Sequence, residues 1–238
     1  MRIFKVSVIT TLYNYKDYIE DNINSFLKQD FEDSEIVIVD DASVDNPYEV
    51  IKKYESDRVK YIRLDKNRGY SHAKNMGIKF CNSDIIVMLD ADDLLTKKGI
   101  SVRYNKIMGG YDFVHAPCLN LKKGRPLIRN KMWGEWLKFK IYKYVHAQGV
   151  MLRKEIHRKI GLYDEKLRCK SDREFFARVF NYKFKIGTVD KDVALYRRHS
   201  KQMHCSEEKM KINNKLQKEV LKIIEKRKTD LSGLEMLI

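Results

Sequence analysis

Residues 6–12, "VSVITTL", form an apolar and mostly β-branched run with little polar alternation. Such a run predicts a strand buried on both faces, as in a parallel sheet. In the following "KDYIEDNINSFLKQ", Tyr18, Ile19, Ile23, Phe26 and Leu27 recur at helical spacing, which predicts an amphipathic helix. The alternation then repeats. "EIVIVDD" (35–41), "VKYIRL" (59–64) and "DIIVMLD" (84–90) read as strands. Between them, "NPYEVIKKYE" places a proline near a helix start, and "GYSHAKNMGIKFC" (69–81) is helical after a glycine turn. A β-α-β-α-β-α-β order predicts an α/β fold with a parallel sheet covered by helices.

The second half is less regular. "YDFVHAPCLNL" (111–121) reads as strand, with a turn at 122–126. "HAQGVMLRKEIHRKIGLYDEKL" predicts a strand, a short helix and a turn. "SDREFFARVFNY" predicts an amphipathic helix with Phe175, Phe176, Val179 and Phe180 inward, and "KFKIGTVD" and "VALYRRH" predict strands. Over 206–228, Met210, Ile212, Leu216, Val220, Ile223 and Ile224 make a helical stripe. It predicts a long C-terminal helix packed on the domain, whose lysines also suit an anionic membrane surface.

At 238 residues and 43% hydrophobic content, the chain has material for one large core. Only three prolines occur, with no low-complexity tract to act as a linker. Residues 1–205 therefore read as one domain, with halves at 1–110 and 111–205, and 206–238 as a helical extension. Cys81, Cys118, Cys169 and Cys205 form no CxxC pair, which argues against a zinc ribbon or redox motif and fits a cytoplasmic compartment. The N-terminal run lacks a cleavage-like site, and no run reaches the roughly 18 apolar residues of a membrane span. The net charge of +15 is uneven: residues 1–110 hold 17 basic against 18 acidic groups, and 111–238 hold 31 against 15. The basic half suits an anionic partner, and equally a lysine-rich solvated surface.

In open α/β sheets, ligands bind beyond the carboxyl ends of the strands. Thr11 and Tyr13 follow the first strand, Asp40 and Asp41 the second, Asn67 and Gly69 the third, and Asp90, Ala91, Asp92 and Asp93 the fourth. Asp90-Ala91-Asp92 is a D-x-D, whose hard oxygens suit Mg²⁺ or Mn²⁺ while leaving coordination positions for phosphates. Read without a ligand, it is a solvated acidic turn, and Asp93 is a helix cap. No G-x-G-x-x-G or G-x-x-x-x-G-K-[ST] occurs, which removes the main support for a dinucleotide dehydrogenase or P-loop nucleotidase.

"VSVITTLYNYKDYIEDNINSFLKQ", "EIVIVDDAS", "NRGYSHAKNMGI", "DIIVMLDADD", "GVMLRKEIHRKIGLYDEKL", "SDREFFARVF" and "YRRH" together resemble the inverting glycosyltransferases of family 2, over about residues 4–200. The resemblance implies a GT-A fold, a mostly parallel central sheet flanked by helices. It implies sugar transfer from a nucleotide-sugar donor to a hydroxyl, with Mn²⁺ or Mg²⁺. Thr11, Tyr13 and Asp41 would hold the nucleoside, with Asp41 facing the base and Asp40 supporting that loop. Asn67, Gly69 and Ala91 complete the donor edge. Lys74 falls where the family often has arginine near the donor. Asp90 points toward ribose or sugar, and Asp92 binds metal. His199 is a second metal ligand or a structural histidine. Arg197 and Arg198 contact the diphosphate or are surface charge.

Asp172 matches the catalytic base. Many members have Glu-Asp where this chain has Ser171-Asp172. One carboxylate is enough, since inverting transfer needs a single base to take the acceptor proton while other groups stabilise the leaving diphosphate. Asp172 also reads as a helix N-terminal residue favoured by the dipole. Trp133, Trp136, Phe139 and Tyr142 stack on an acceptor sugar or pack a core. A carboxylate facing a uracil or thymine favours UDP- or dTDP-sugars. The acceptor expected is a glycan or glycolipid at the cytoplasmic membrane face. The alternatives are a hydroxylated base in DNA, given the basic half, and an inactive nucleotide-sugar-binding module.

Overall fold

The computed structural model describes residues 3–121, 145–167 and 170–202, together with 222, 223, 225 and 226. The strands are β1 (Val6–Leu12), β2 (Ser34–Asp40), β3 (Val59–Arg63), β4 (Ile85–Asp90), β5 (Leu94–Leu95), β6 (Phe113–His115), β7 (Cys118–Asn120), β8 (Val150–Arg153), β9 (Ile186–Thr188) and β10 (Ala194–Tyr196). The helices are α1 (Lys16–Leu27), α2 (Tyr48–Ile51), α3 (Tyr70–Phe80), α4 (Gly99–Met108), α5 (Glu155–Ile160) and α6 (Ser171–Asn181). A 3-10 turn covers Ala147–Gly149.

Seven strands form one sheet in the order β3-β2-β1-β4-β8-β6-β9, and β5-β10-β7 form a second. β1 pairs in parallel with both β2 and β4, so that Thr11 lies opposite Val39 on one side and Asp90 on the other. Every residue of β1 and β2 is buried, as their continuous apolar runs require. Side chains alternate between two cores. Ile9, Val37 and Val39 face Ala73 and Ile78 of α3, in the cluster that also takes Phe175 and Phe176. Val8, Ile36 and Ile38 face Ile19, Ile23 and Phe26 of α1. α3 lies so close to β1 that a Cβ on Gly77 would meet Ile9 Cγ2 at 2.3 Å.

Three features depart from the expected pattern. The predicted strand 111–121 is two strands in different sheets. The chain leaves the large sheet at Ala116–Pro117, where proline has no N–H to give a ladder. β8 enters antiparallel between β4 and β6. α2 is a single turn rather than the longer helix suggested by "NPYEVIKKYE". The predicted turn at 122–126, Trp133, Trp136, Phe139, Tyr142, Cys169 and Cys205 lie outside the described residues, as does most of the predicted C-terminal helix. Cys81 and Cys118 are buried free thiols. Among the described residues no helix is long and apolar enough to cross a membrane.

Candidate active site

The carboxyl end of β4 is braced from several sides. Asn22 Nδ2 donates to the carbonyls of Asp90 (2.9 Å) and Asp93 (2.8 Å). Gln148 Nε2 donates to Asp90 Oδ2 (2.9 Å) and to the Asp93 carboxylate. The 3-10 turn carrying Gln148 is held by the buried Arg103, whose Nη1 donates to the carbonyls of Gln148 (2.9 Å) and Val150 (3.0 Å). The Arg197 amide donates to Asp93 Oδ1 at 2.8 Å. Asp93 is thus fully buried and ties β4 to the segment after β10. It is not a helix cap, because β5 follows it and α4 begins only at Gly99. Burial, together with the Asp92 and Asp90 charges, pushes its carboxyl well above the usual range.

Asp92 points elsewhere. Its Oδ2 lies 3.0 Å from His199 Nε2 and 3.4 Å from Gln202 Nε2. The His199 ring packs on Tyr18 (4.4 Å between centroids) and edge-on to Tyr15 (5.5 Å). One carboxylate oxygen and one imidazole nitrogen converging in this way fit a divalent cation that keeps its remaining positions for water and phosphate oxygens. Among the described residues no group of three or more His, Cys, Asp or Glu is placed to hold a metal ion.

At the β2 end the two aspartates divide. Asp40 is fully buried and accepts from the Ser43 amide (2.8 Å), the Tyr61 hydroxyl (2.6 Å) and Arg63 Nη1 (2.7 Å). These bonds tie Asp40 to the loop at Ser43 and to β3. Asp41 accepts from the amides of Arg68 (2.9 Å) and Gly69 (2.7 Å), which fixes the turn into α3. Gly69 has φ +94°, a conformation that glycine adopts without strain. Asn14, Ala42 and Lys170 also have positive φ, and all three lie in loops at this end of the sheet. Such strain gathers where loops are shaped for ligands. Thr11 is nearly buried, while Tyr13 and Asn67 are exposed. Ala91 is buried within the β4 turn.

Asp172 occupies the first turn of α6 and accepts from the Arg173 amide at 2.9 Å. The helix is docked by Arg178. That guanidinium pairs with Glu174 in the core (2.9 Å) and donates to the carbonyls of Ile160, Gly161 and Leu162. Asn75 of α3 fixes the preceding loop by bonding both the amide (3.0 Å) and the carbonyl (2.9 Å) of Tyr163. The Asp172 charge consequently bears on Tyr70, Lys74, Asp90, His146 and Tyr163. Tyr70 donates to Asp90 Oδ1 at 2.7 Å. Burial, with Asp92 and Asp172 nearby and Lys74 opposing, raises the Asp90 carboxyl to about 6. Lys74 is buried and its Nζ lies over the rings of Tyr70 (3.9 Å) and Tyr163 (4.8 Å). Burial lowers its pKa, against the pull of Asp90 and Asp172.

The structure thus brings Asp90, Asp92, His199, Lys74 and Asp172 to one end of the sheet, with Asp41 and Gly69 at the adjoining loop. Tyr70 and Tyr163, from the stretches "NRGYSHAKNMGI" and "GVMLRKEIHRKIGLYDEKL", join them, and Gln148 does so without any sequence motif to announce it. Trp133 and Trp136 lie outside the described residues.

The sequence model of the family described as Glycosyl transferase family 2 matches residues 7–201. The poly-beta-1,6-N-acetyl-D-glucosamine synthase of Staphylococcus aureus is 35% identical over 127 residues, which are 53% of this chain and 29% of that protein. Glycosyltransferase GlyG of Streptococcus pneumoniae is 24% identical over 217 residues, 82% of this chain and 71% of that one. Residues 1–349 of S. aureus TarS, solved with UDP, superpose with a TM-score of 0.76 at 22% identity, over 93% of this chain and 64% of that one. The same protein has also been solved with UDP-GlcNAc. The mannosyltransferase PcManGT of Pyrobaculum calidifontis, solved with GDP-Man and Mn²⁺, superposes with a TM-score of 0.67 at 19% identity, over 86% of this chain and 60% of that one. This chain therefore spans under a third of the synthase, and the solved structures establish the shared GT-A fold. With the family match running from β1 past β10, the chain belongs to glycosyl transferase family 2.

Proposed function

We propose that the chain transfers a sugar from a UDP-sugar to a hydroxyl of a glycan or glycolipid, with inversion at the anomeric carbon and with a bound Mn²⁺ or Mg²⁺. The observation that supports this reading is the meeting of Asp92 Oδ2 and His199 Nε2, 3.0 Å apart, at the carboxyl end of β4. Asp92 and His199 would hold the cation, whose charge stabilises the leaving diphosphate. Asp172 takes the proton of the acceptor hydroxyl as that oxygen bonds to the anomeric carbon. The bond from that carbon to the phosphate oxygen breaks, and its electron pair leaves with the nucleoside diphosphate. Residues 1–110 serve the donor and 111–205 the acceptor.

UDP is favoured because S. aureus TarS has been solved with UDP and with UDP-GlcNAc. Asp41 adds a reason from chemistry. Each of its oxygens takes one backbone N–H and keeps a second lone pair, which suits the N3–H of uracil and not the bare N3 of cytosine. The basic second half suits an anionic acceptor or a membrane-peripheral setting. A DNA acceptor draws nothing from relatives named for polysaccharide synthesis.

Thermal shift of the full chain against UDP-, GDP- and CDP-sugars, with and without Mn²⁺, tests the reading. A Mn²⁺-dependent rise in Tm with a UDP-sugar and none with CDP-sugars is expected. Absence of any shift with every nucleotide sugar overturns it.

A further inference from the structure

The buried face of α1 holds Ile19, Asn22, Ile23 and Phe26, and Asn22 is the polar one among them. It is 0% exposed. An asparagine is a poor helix-interior residue, and burying its amide is unfavourable unless the amide is hydrogen-bonded. An aliphatic side chain would fill an apolar face without that penalty. The asparagine is accounted for by what it bonds.

What it bonds is the turn that carries Asp92. The Asp93 amide donates to the Asp90 carbonyl at 3.0 Å and closes a turn with Ala91 and Asp92 at its centre. Asn22 Nδ2 donates to the carbonyls at both ends of that turn, Asp90 (2.9 Å) and Asp93 (2.8 Å). Carbonyls only accept, so the amide nitrogen must face the turn, and Oδ1 faces the Thr10 hydroxyl. Both amide hydrogens are spent on spanning the turn.

The partner of Asp92 is held by the same helix. Tyr18, one helical turn before Asn22, packs its ring on His199 with 4.4 Å between centroids. Asp21, next to Asn22, pairs with Arg197 at 2.7 Å, and Arg197 Nε donates to the Asp92 carbonyl at 3.0 Å. The loop after β4 and the loop after β10 are therefore both referred to one rigid element.

Resting on the metal-dependent reading above, we propose that Asn22 is a positioning residue for the divalent cation. By bridging the two ends of the Asp90–Asp93 turn from the helix that also carries the Tyr18–His199 stack, it sets where Asp92 stands relative to His199, and with it the affinity for the cation. Asn22 itself touches neither cation nor substrate. A carboxylate on a turn held at both ends is ordered before the cation arrives, whereas one on a released turn has to be ordered at each binding event.

Calorimetry on the full chain tests this. Mn²⁺ is titrated into protein held with excess UDP, and UDP is titrated separately in the presence of a chelator. The variants are Asn22→Ala, Asn22→Ser and, as a control, Val8→Ala, which opens a cavity in the same core at a position paired with Val87, upstream of the turn. Asn22→Ala should weaken Mn²⁺ binding by roughly tenfold or more, the range for lost outer partners of metal ligands. UDP binding without metal should be unchanged. Asn22→Ser has one hydroxyl hydrogen in place of two amide hydrogens on a shorter arm. It should show the same selective loss, and it keeps the test decisive if Asn22→Ala does not fold. Val8→Ala should lower Tm and leave Mn²⁺ affinity at the wild-type value. Wild-type Mn²⁺ affinity in a folded Asn22 variant overturns the inference, as does an equal loss of metal and metal-free UDP binding. A loss of Mn²⁺ affinity in Val8→Ala as large as in the Asn22 variants, or failure of both Asn22 variants to fold, makes the residue a structural one and overturns it too. A wild type whose UDP binding ignores Mn²⁺ refutes the metal-dependent reading itself and takes the inference with it.

Discussion

Asp92 Oδ2 and His199 Nε2 stand 3.0 Å apart although 107 positions separate them in the chain. The pair is made by the loop after β4 meeting the loop after β10, which the Arg197–Asp93 bond holds in register. Asp92→Ala should abolish Mn²⁺-dependent tightening of UDP binding and turnover together, and the fold should survive. His199→Ala should weaken the Mn²⁺-dependent part by roughly tenfold or more, in the range by which lost metal-site partners reduce affinity. Titrating UDP with Mn²⁺ and with a chelator on both variants measures this. Wild-type metal dependence in His199→Ala would reduce the histidine to packing between Tyr15 and Tyr18.

Asp172→Asn keeps size and hydrogen bonding and removes the ability to take a proton. Donor affinity should hold while transfer falls by roughly 10²–10⁴-fold. Were Asp172 only a helix N-terminal charge, the variant would lose about 0.3–1 kcal/mol of stability and keep its turnover. Donor affinity, Tm and turnover measured on one sample separate the two.

Gln148 is the neutral group between the half-buried Asp90 and the fully buried Asp93 carboxylates. Gln148→Ala should cost about 1–3 kcal/mol by leaving Asp90 and Asp93 short of a donor. That is a fall in Tm of about 2–4 °C per kcal/mol for a chain of this size. Gln148→Glu adds a third carboxyl and should cost more. Its excess loss should shrink as pH falls. Asp90 and Asp93 have raised folded pKa values, so the fold favours their neutral forms and gains stability as pH drops through about 6 in the metal-free protein. A Tm for Gln148→Glu equal to wild type at pH 8 would show that the bridge carries no weight.

His157 works in the opposite direction. It is fully buried, stacked on Phe175 at 4.5 Å, and burial lowers its pKa from 6.5 to about 3. The folded value lies below the unfolded one. Its contribution is therefore whole above about pH 6.5 and is lost as pH falls toward 3. His157→Phe keeps a stacked ring that cannot protonate. Its Tm should drop less than that of wild type between pH 7 and pH 5. Equal drops would place the acid sensitivity elsewhere.

Much of the donor half is written locally. β1, β2 and β4 are continuous apolar runs because strands buried on both faces tolerate nothing else, and α1, α3 and α6 show one apolar stripe because each covers one face of a sheet. Parallel order then puts Asp41, Asp90 and Asp92 at one edge without further information. What local pattern cannot carry is which distant segments meet. The break at Pro117 and the antiparallel entry of β8 depend on pairings between strands far apart in the chain. Asp40 and Asp41 are neighbours of one type, and only the surrounding fold turns the first onto Tyr61 and Arg63 and the second onto the amides before α3. Gln148 sits in a stretch with no motif. Its place arises because Arg103, far away in sequence, fixes the backbone on which it stands. Periodicity reports the face a residue buries, whereas a site is made of side chains converging from separate elements, and that convergence exists only once the sheet has closed its long-range pairings.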